Sequence, residues 1–351
     1  MQLARLHKLT DPDRRVIDIR SANGAPSGVH KAEVGVPCLN SANTRSPSPV
    51  SVLPRQTDAS QPGEGSSSDE PTAVIPSVDW WITSRCNLRC DFCYGPERGK
   101  DPVRDRDAIV DALAHSAARV VTFCGGEPLL VGRIGDYAET LAKARKSVVL
   151  NTNGQLLGRL LMPRSGKPKL RLADFAVIGI SVDGSTLEIH RSMRGEKAQH
   201  GKVVAAARLV GDEPGVRLKL ATVVSSVNRD DLPALAEFVR DLKPDVWRLY
   251  QYSRRGEVNT GQLRHRLPDD EFRRLADLAG VRADPVPTAP SSETETEGCL
   301  IVDPTGNVLQ PAGDTYIPYG NCLKEPLDDI WGRLPARSAI VSNKRWLSVL
   351  G

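Results

Sequence analysis

Three of the chain's seven cysteines fall within one stretch, CNLRCDFCY. They are Cys86, Cys90 and Cys93, at C-x3-C-x2-C spacing. Thiolates at that density bind soft metals or iron–sulfur clusters. A closed zinc site takes four ligands, and no second C-x2-C or His pair follows nearby. Three thiolates on a four-iron cluster leave one iron open to a small ligand. A zinc knuckle or three incidental core cysteines are the plainer readings of the same residues.

Other groups able to do chemistry sit in short polar runs. GGEP at 125–128 offers two glycines, which let backbone approach a ligand closely, and one carboxylate. NTNG at 151–154 carries Asn151 and Asn153, and SVDG at 181–184 carries Ser181 and Asp183. HRSMRG at 190–195 carries Arg194, whose planar fork suits a carboxylate. QYS at 251–253 carries Gln251 and Ser253, and Phe92 and Tyr94 flank Cys93. Each has a plainer reading as a turn residue, a solvated arginine or a core aromatic. Cys124 reads as a small buried residue at a strand end.

Such residues need elements to hold them. SVDWWIT, RVVTFC, SVVLNTNG, FAVIGISVDG, VRLKLATVVSS and VWRLYQYS read as six strands rich in Val, Ile and Leu. Helical spacing lies between them, at 105–118 and 133–146, in KVVAAARLVG with its Gly stop and in DLPALAEFVRDL with Pro in its first turn. Strands alternating with helices mean βαβ units, an α/β fold and a parallel sheet. Six units curl into an incomplete (β/α)6 barrel, where chemistry gathers at the C-terminal strand ends. The cysteines, GGEP, NTNG, SVDG and QYS all fall at such ends.

The expected domains follow from composition. Residues 1–73 are rich in Ser and Pro, lack aromatics and have no apolar period, so they read as disordered. Residues 74–283 form the barrel, 284–298 a polar linker, and 299–351 a small extension with a hairpin around PTGN. A net charge of +4 does not argue for nucleic acid or anionic membrane. With no apolar run of spanning length and no signal-peptide pattern, the expected compartment is the cytoplasm.

With these residues in place, the chain resembles the radical S-adenosylmethionine (radical SAM) enzymes. The cluster loop of that family reads C-x3-C-x-Φ-C, and Phe92 fills the aromatic place. GGEP, ISVDG, HRSMRG and WRLYQYSRRGE follow in the family's order, over roughly 77–257. The resemblance implies that Cys86, Cys90 and Cys93 each bind one iron of a [4Fe–4S] cluster. S-adenosylmethionine chelates the fourth iron, and one electron cleaves it to methionine and a 5′-deoxyadenosyl radical, which abstracts hydrogen from a substrate. It further implies that Gly125, Gly126, Glu127 and Pro128 meet the methionine amino group. Asn151, Asn153, Ser181, Arg194 and Gln251 would lie about the cofactor, with Phe92 and Tyr94 near its adenine. Flavodoxin or ferredoxin would be the reducing partner.

The extension resembles the SPASM extension of some relatives, which carries auxiliary clusters. Only Cys299 and Cys322 remain in it here, too few for the four thiolates such a cluster takes. That shortage, and a lack of any leader-recognition pattern, points to a small-molecule substrate in secondary metabolism, such as antibiotic biosynthesis. A sugar, nucleoside or amino-acid derivative undergoing decarboxylation or epimerisation fits. A maturase acting on a ribosomal peptide is the alternative, and a non-catalytic iron–sulfur or zinc protein a second.

Overall fold

The computed structural model of the chain describes residues 75–97, 101, 103–161, 170–255, 263–284, 288–291 and 299–335. All of them fall in one compact unit, Ser68–Gly351. The Ser/Pro-rich segment 1–73 and Cys38 within it lie outside the described residues.

Six βα units appear where the sequence places them. The strands are β1 (Ser77–Thr83), β2 (Val120–Gly125), β3 (Ser147–Thr152), β4 (Val177–Ser181), β5 (Arg217–Val224) and β6 (Val246–Gln251). Between them run α1 (Arg106–His115), α2 (Ile134–Lys143), α3 (Leu157–Leu161), α4 (Leu187–Arg194), α5 (His200–Gly211) and α6 (Leu232–Leu242). After β6 come α7 (Asp269–Ala283) and β7 (Thr288–Ser291), then β8 (Ile301–Val302), β9 (Asn307–Ala312), β10 (Thr315–Asn321) and α8 (Leu327–Gly332). The stretch expected to be a linker therefore contains a strand, and β7 pairs in parallel with β6.

Strand order across the sheet is β10-β9-β8-β1-β2-β3-β4-β5-β6-β7. From β1 to β7 it follows chain order, and each of those pairs is parallel. Right-handed crossovers in unbroken order put every helix on one face of the sheet. The other face then becomes the interior of an incomplete barrel. The expected small extension is continuous with this sheet: β8 pairs in parallel with β1, and β9 and β10 follow antiparallel.

Side-chain alternation assigns the two faces. Val78, Trp80, Ile82, Val121, Phe123, Val148, Leu150, Ile178, Ile180, Leu218, Leu220, Trp247 and Leu249 belong to the main apolar core with the helices. The intervening residues Asp79, Trp81, Thr122, Cys124, Asn151, Gly179, Ser181, Lys219, Ala221, Arg248 and Tyr250 line the interior. The outer face is thus held by apolar burial, at about 1.5–3 kcal/mol for each large side chain. The inner face is left for polar chemistry.

Candidate active site

At the end of β1 the chain turns into the cysteine loop. Arg106, buried on α1, anchors that end by donating from Nε to the Ile82 carbonyl (2.8 Å). Cys86, Cys90 and Cys93 line one cavity of about 980 Å³, its open mouth included. Backbone amides reach two of the sulfurs: Leu88 N donates to Cys86 Sγ and Gly95 N to Cys93 Sγ, each at 3.4 Å. Such donors tune iron–sulfur sites. Burial pushes the Cys90 thiol up to about 12, and that thiol donates to the Arg194 carbonyl (3.8 Å). Among the described residues no three His, Cys, Asp or Glu side chains converge to hold one metal ion. A multi-iron cluster makes no such demand, because each thiolate binds a different iron. The donor set fits that group.

GGEP follows β2 directly below the loop. Gly126 N donates to the Thr83 carbonyl and Glu127 N to the Arg85 carbonyl, both at 2.7 Å. This close approach requires glycine. A Cβ on Gly126 would lie 2.1 Å from the Arg85 oxygen, and Gly125 has φ +108°. Glu127 lines the cavity beside the two glycines, and its carboxylate is held by the chain itself. It turns to the end of β3, where Thr152 Oγ1 donates to Oε1 (2.6 Å) and Asn153 N to Oε2 (2.9 Å). Leu129 N also donates to Oε1 (3.1 Å) and caps a short 3-10 turn at Pro128–Leu130. Burial raises its pKa, against the pull of these three donors. Pro128 is buried in that turn and does not line the cavity.

Further strand ends complete the wall. Asn153 Nδ2 donates to Asn87 Oδ1 (2.8 Å), so this side chain ties the β3 turn to the cysteine loop. Ser181 lines the same cavity. Arg194 ends α4, which starts at a Thr186 cap and stops at Gly195 with φ +86°. Its guanidinium lies 5.6 Å from the Phe92 ring centroid and pairs with Asp183. Burial lowers the Arg194 pKa, but Asp183 and Cys90 hold it above the ordinary arginine range. Asp183 is fully buried and also accepts from Val223 N (2.8 Å), so it does more than shape a turn. Phe92 packs edge-on to His265, and His265 Nε2 meets Asp91 Oδ1 at 2.8 Å.

Beyond this cavity lies an inner compartment of about 940 Å³, mouth included. Trp81, Phe92, Tyr94, Cys124, Asn151, Lys219, Val223 and Tyr250 line both spaces. The compartment alone is lined by Asp79, Arg248, Arg255 and Cys299, among others. Gln251 stands there too, away from the cysteine cavity, with Nε2 donating to the Leu267 carbonyl (3.0 Å) and Asp269 Oδ1 (2.7 Å). Tyr316, from β10, closes one side. Its hydroxyl donates to the Tyr94 carbonyl (2.6 Å), and its ring stands edge-on to Trp81. Cys322 lies elsewhere, in the main core, where burial pushes its thiol up to about 11.

The residues not foreseen are Lys219, Arg248 and Asp79. Each is a charge at the inward phase of an apolar strand, in RLKLATVV, VWRLYQ and SVDWWIT. Gly179 in VIGIS belongs with them: a Cβ there would lie 2.5 Å from both Asn151 Oδ1 and Lys219 Cε. A glycine inside a strand marks such a close approach.

Comparison with known proteins agrees with this geometry. Residues 81–239 match the family model of the Radical SAM superfamily. Enzymes of that superfamily use a [4Fe–4S] cluster and S-adenosylmethionine. An S-adenosylmethionine-dependent nucleotide dehydratase of Lacinutrix mariniflava is 26% identical over 69% of this chain and 52% of its own length. The Fe-coproporphyrin III synthase of Methanosarcina barkeri is 29% identical over 48% of this chain and 42% of its own. The chain thus spans about half the length of these two relatives. Among solved structures, Streptococcus suis SuiB bound to S-adenosylmethionine superposes with a TM-score of 0.58 at 17% identity. That match covers 77% of this chain and 68% of SuiB, and it shows the shared fold.

Proposed function

We propose that the chain is a radical SAM enzyme acting on a small molecule, a sugar, nucleoside or amino-acid derivative. The observation that carries this reading is the convergence of three thiols, the GGE backbone and Arg194 on one cavity that opens into an inner compartment. In it, Cys86, Cys90 and Cys93 would each hold one iron. When bound there, the cluster and S-adenosylmethionine supply a 5′-deoxyadenosyl radical that takes hydrogen from the substrate.

The chain's own residues prepare this step. Arg194, oriented by Asp183, offers its fork to the cofactor's carboxylate. The Gly126 and Glu127 amides are engaged by the loop, and this glycine turn would meet the amino group through its backbone. Asn151 and Ser181 line the cavity between cofactor and substrate. Trp81, Tyr94 and Tyr316 wall the compartment and exclude water from a reactive intermediate. Relatedness to the nucleotide dehydratase supports the small-molecule reading.

The test is anaerobic reconstitution with iron and sulfide, then incubation with dithionite, S-adenosylmethionine and candidate substrates. Formation of 5′-deoxyadenosine and a mass change in a nucleoside or sugar derivative support the reading. Modification of a co-encoded peptide in place of any small molecule would overturn the substrate class. A loaded cluster that never cleaves the cofactor, with any substrate, would leave a binding protein.

A further inference from the structure

The two residues between Cys90 and Cys93 are Asp91 and Phe92. His265, from outside the loop, meets both. It ends a short 3-10 turn, Leu263–His265, that leads into α7. It is fully buried, and its Nε2 lies 2.8 Å from Asp91 Oδ1. Its ring stands edge-on to Phe92, with centroids 5.5 Å apart. We propose that His265 is a positioning residue of the cysteine loop: with Asp91 and Ser225 it forms a clamp that fixes the Cys90 and Cys93 thiolates for the cluster. This rests on the radical-enzyme reading of that loop given above.

The clamp is anchored in the barrel. A carboxylate only accepts, so Nε2 carries a proton and donates to Asp91. Burial, against the pull of Asp91, lowers the His265 pKa, so the ring is neutral and Nδ1 accepts from Ser225 Oγ (3.2 Å). Ser225 is also fully buried and lies just past the end of β5. Its amide donates to Asn228 Oδ1 (2.9 Å), and Asn228 Nδ2 donates to the Asp183 carbonyl (3.1 Å). Asp183 in turn holds Arg194, whose guanidinium lies beside Phe92. One turn after β5 therefore steadies Asp91 through His265 and Phe92 through Arg194. Arg264 also pairs with Asp91, but that pair is open to water and adds little. The loop's apolar contacts form a small cluster apart from the main core, around Leu88, Phe92, Met193, Ala198 and Tyr252. With so little apolar surface to hold it, one sheltered charge-assisted bond weighs heavily on where the thiolates stand.

The experiment follows the loaded cluster and not turnover. The full chain is reconstituted with iron and sulfide, and release of its iron to a chelator is timed by absorbance. His265→Phe keeps a ring against Phe92 but loses both hydrogen bonds, whereas His265→Gln keeps an amide donor for Asp91. Release is about tenfold faster from His265→Phe, the value of one charge-assisted contact, and within about threefold of the unaltered chain from His265→Gln. The g values of the dithionite-reduced cluster in electron paramagnetic resonance shift in the first variant and return in the second. Val210→Ala, a cavity in the main core on α5, is the control for global stability. It lowers the urea midpoint and leaves iron release within about twofold. Asp91→Ala removes the same bond from a partly exposed loop position, where folding is not at stake, and speeds release as His265→Phe does. Unchanged release from His265→Phe or from Asp91→Ala overturns the proposal. So does Val210→Ala speeding release as much as His265→Phe. A chain that takes up no iron–sulfur cluster sinks the radical reading and the clamp with it; a loaded chain whose release ignores these variants sinks the clamp alone.

Discussion

Replacing Glu127 with Gln separates two roles for the carboxylate of GGEP. In this structure both oxygens are engaged by the chain itself: Thr152 Oγ1 and Leu129 N donate to Oε1, and Asn153 N donates to Oε2. Glutamine keeps one acceptor and turns a donor toward the Asn153 amide, or the reverse if it flips. One buried N–H then faces another. Losing a hydrogen bond to a charged buried acceptor costs about 2–3 kcal/mol. Chemical denaturation of the cluster-free chain should show that loss as a lower urea midpoint at unchanged slope. S-adenosylmethionine affinity of the reconstituted variant should change by less than about threefold, under 1 kcal/mol. Unchanged stability with a tenfold or greater loss of cofactor affinity would refute this placement of the carboxylate.

Further predictions concern the loop and its supports. Gly126→Ala puts a Cβ against the Arg85 carbonyl, so it should cost about 1–3 kcal/mol and lower iron loading. Gly201→Ala, on α5 with nothing within 4 Å of the added carbon, should stabilise by up to about 1 kcal/mol under the same urea titration. Tyr316→Phe removes the hydroxyl that holds the Tyr94 carbonyl. It should cost about 1 kcal/mol and speed amide exchange in the cysteine loop. His190 is fully buried, and burial, with lesser contributions from Arg194 and His200, lowers its pKa to about 3. Between pH 6.5 and 3 the unfolded chain therefore binds a proton that the folded chain refuses. Stability is full above about 6.5 and falls as pH drops, by up to about 1.4 kcal/mol per unit from this group. A His190→Gln variant should show a shallower acid slope in urea titrations between pH 7 and 5.

Much of the architecture was legible because it rests on local patterns. Apolar runs bounded by turn residues marked β1 to β6, and the chain-order sheet followed from regular alternation with helices. The PTGN hairpin was equally local. What escaped the sequence was long-range or set by phase. Strand β7 lies in a Pro-rich stretch that a propensity reading leaves as a linker, and its pairing with β6 supplies the structure. Cysteine spacing located the cluster loop, yet could not show His265 bracing Asp91 from the far side of the barrel. Arg194 was visible as a cation, but its partner Asp183 read as a turn former, because only the fold closes that ion pair. Charged Lys219 and Arg248 passed unremarked inside apolar strands. Counting strand phase would have pointed both of them inward.

We propose that Cys86, Cys90 and Cys93 hold one [4Fe–4S] cluster on which S-adenosylmethionine is cleaved. The most direct measurement counts iron and sulfide, and assays 5′-deoxyadenosine by chromatography and mass spectrometry. It runs on the reconstituted chain beside Cys86→Ala, Cys90→Ala and Cys93→Ala. About four irons with 5′-deoxyadenosine in the unaltered chain, and no product in any variant, is the predicted result. A variant that keeps both its iron and its product would contradict it.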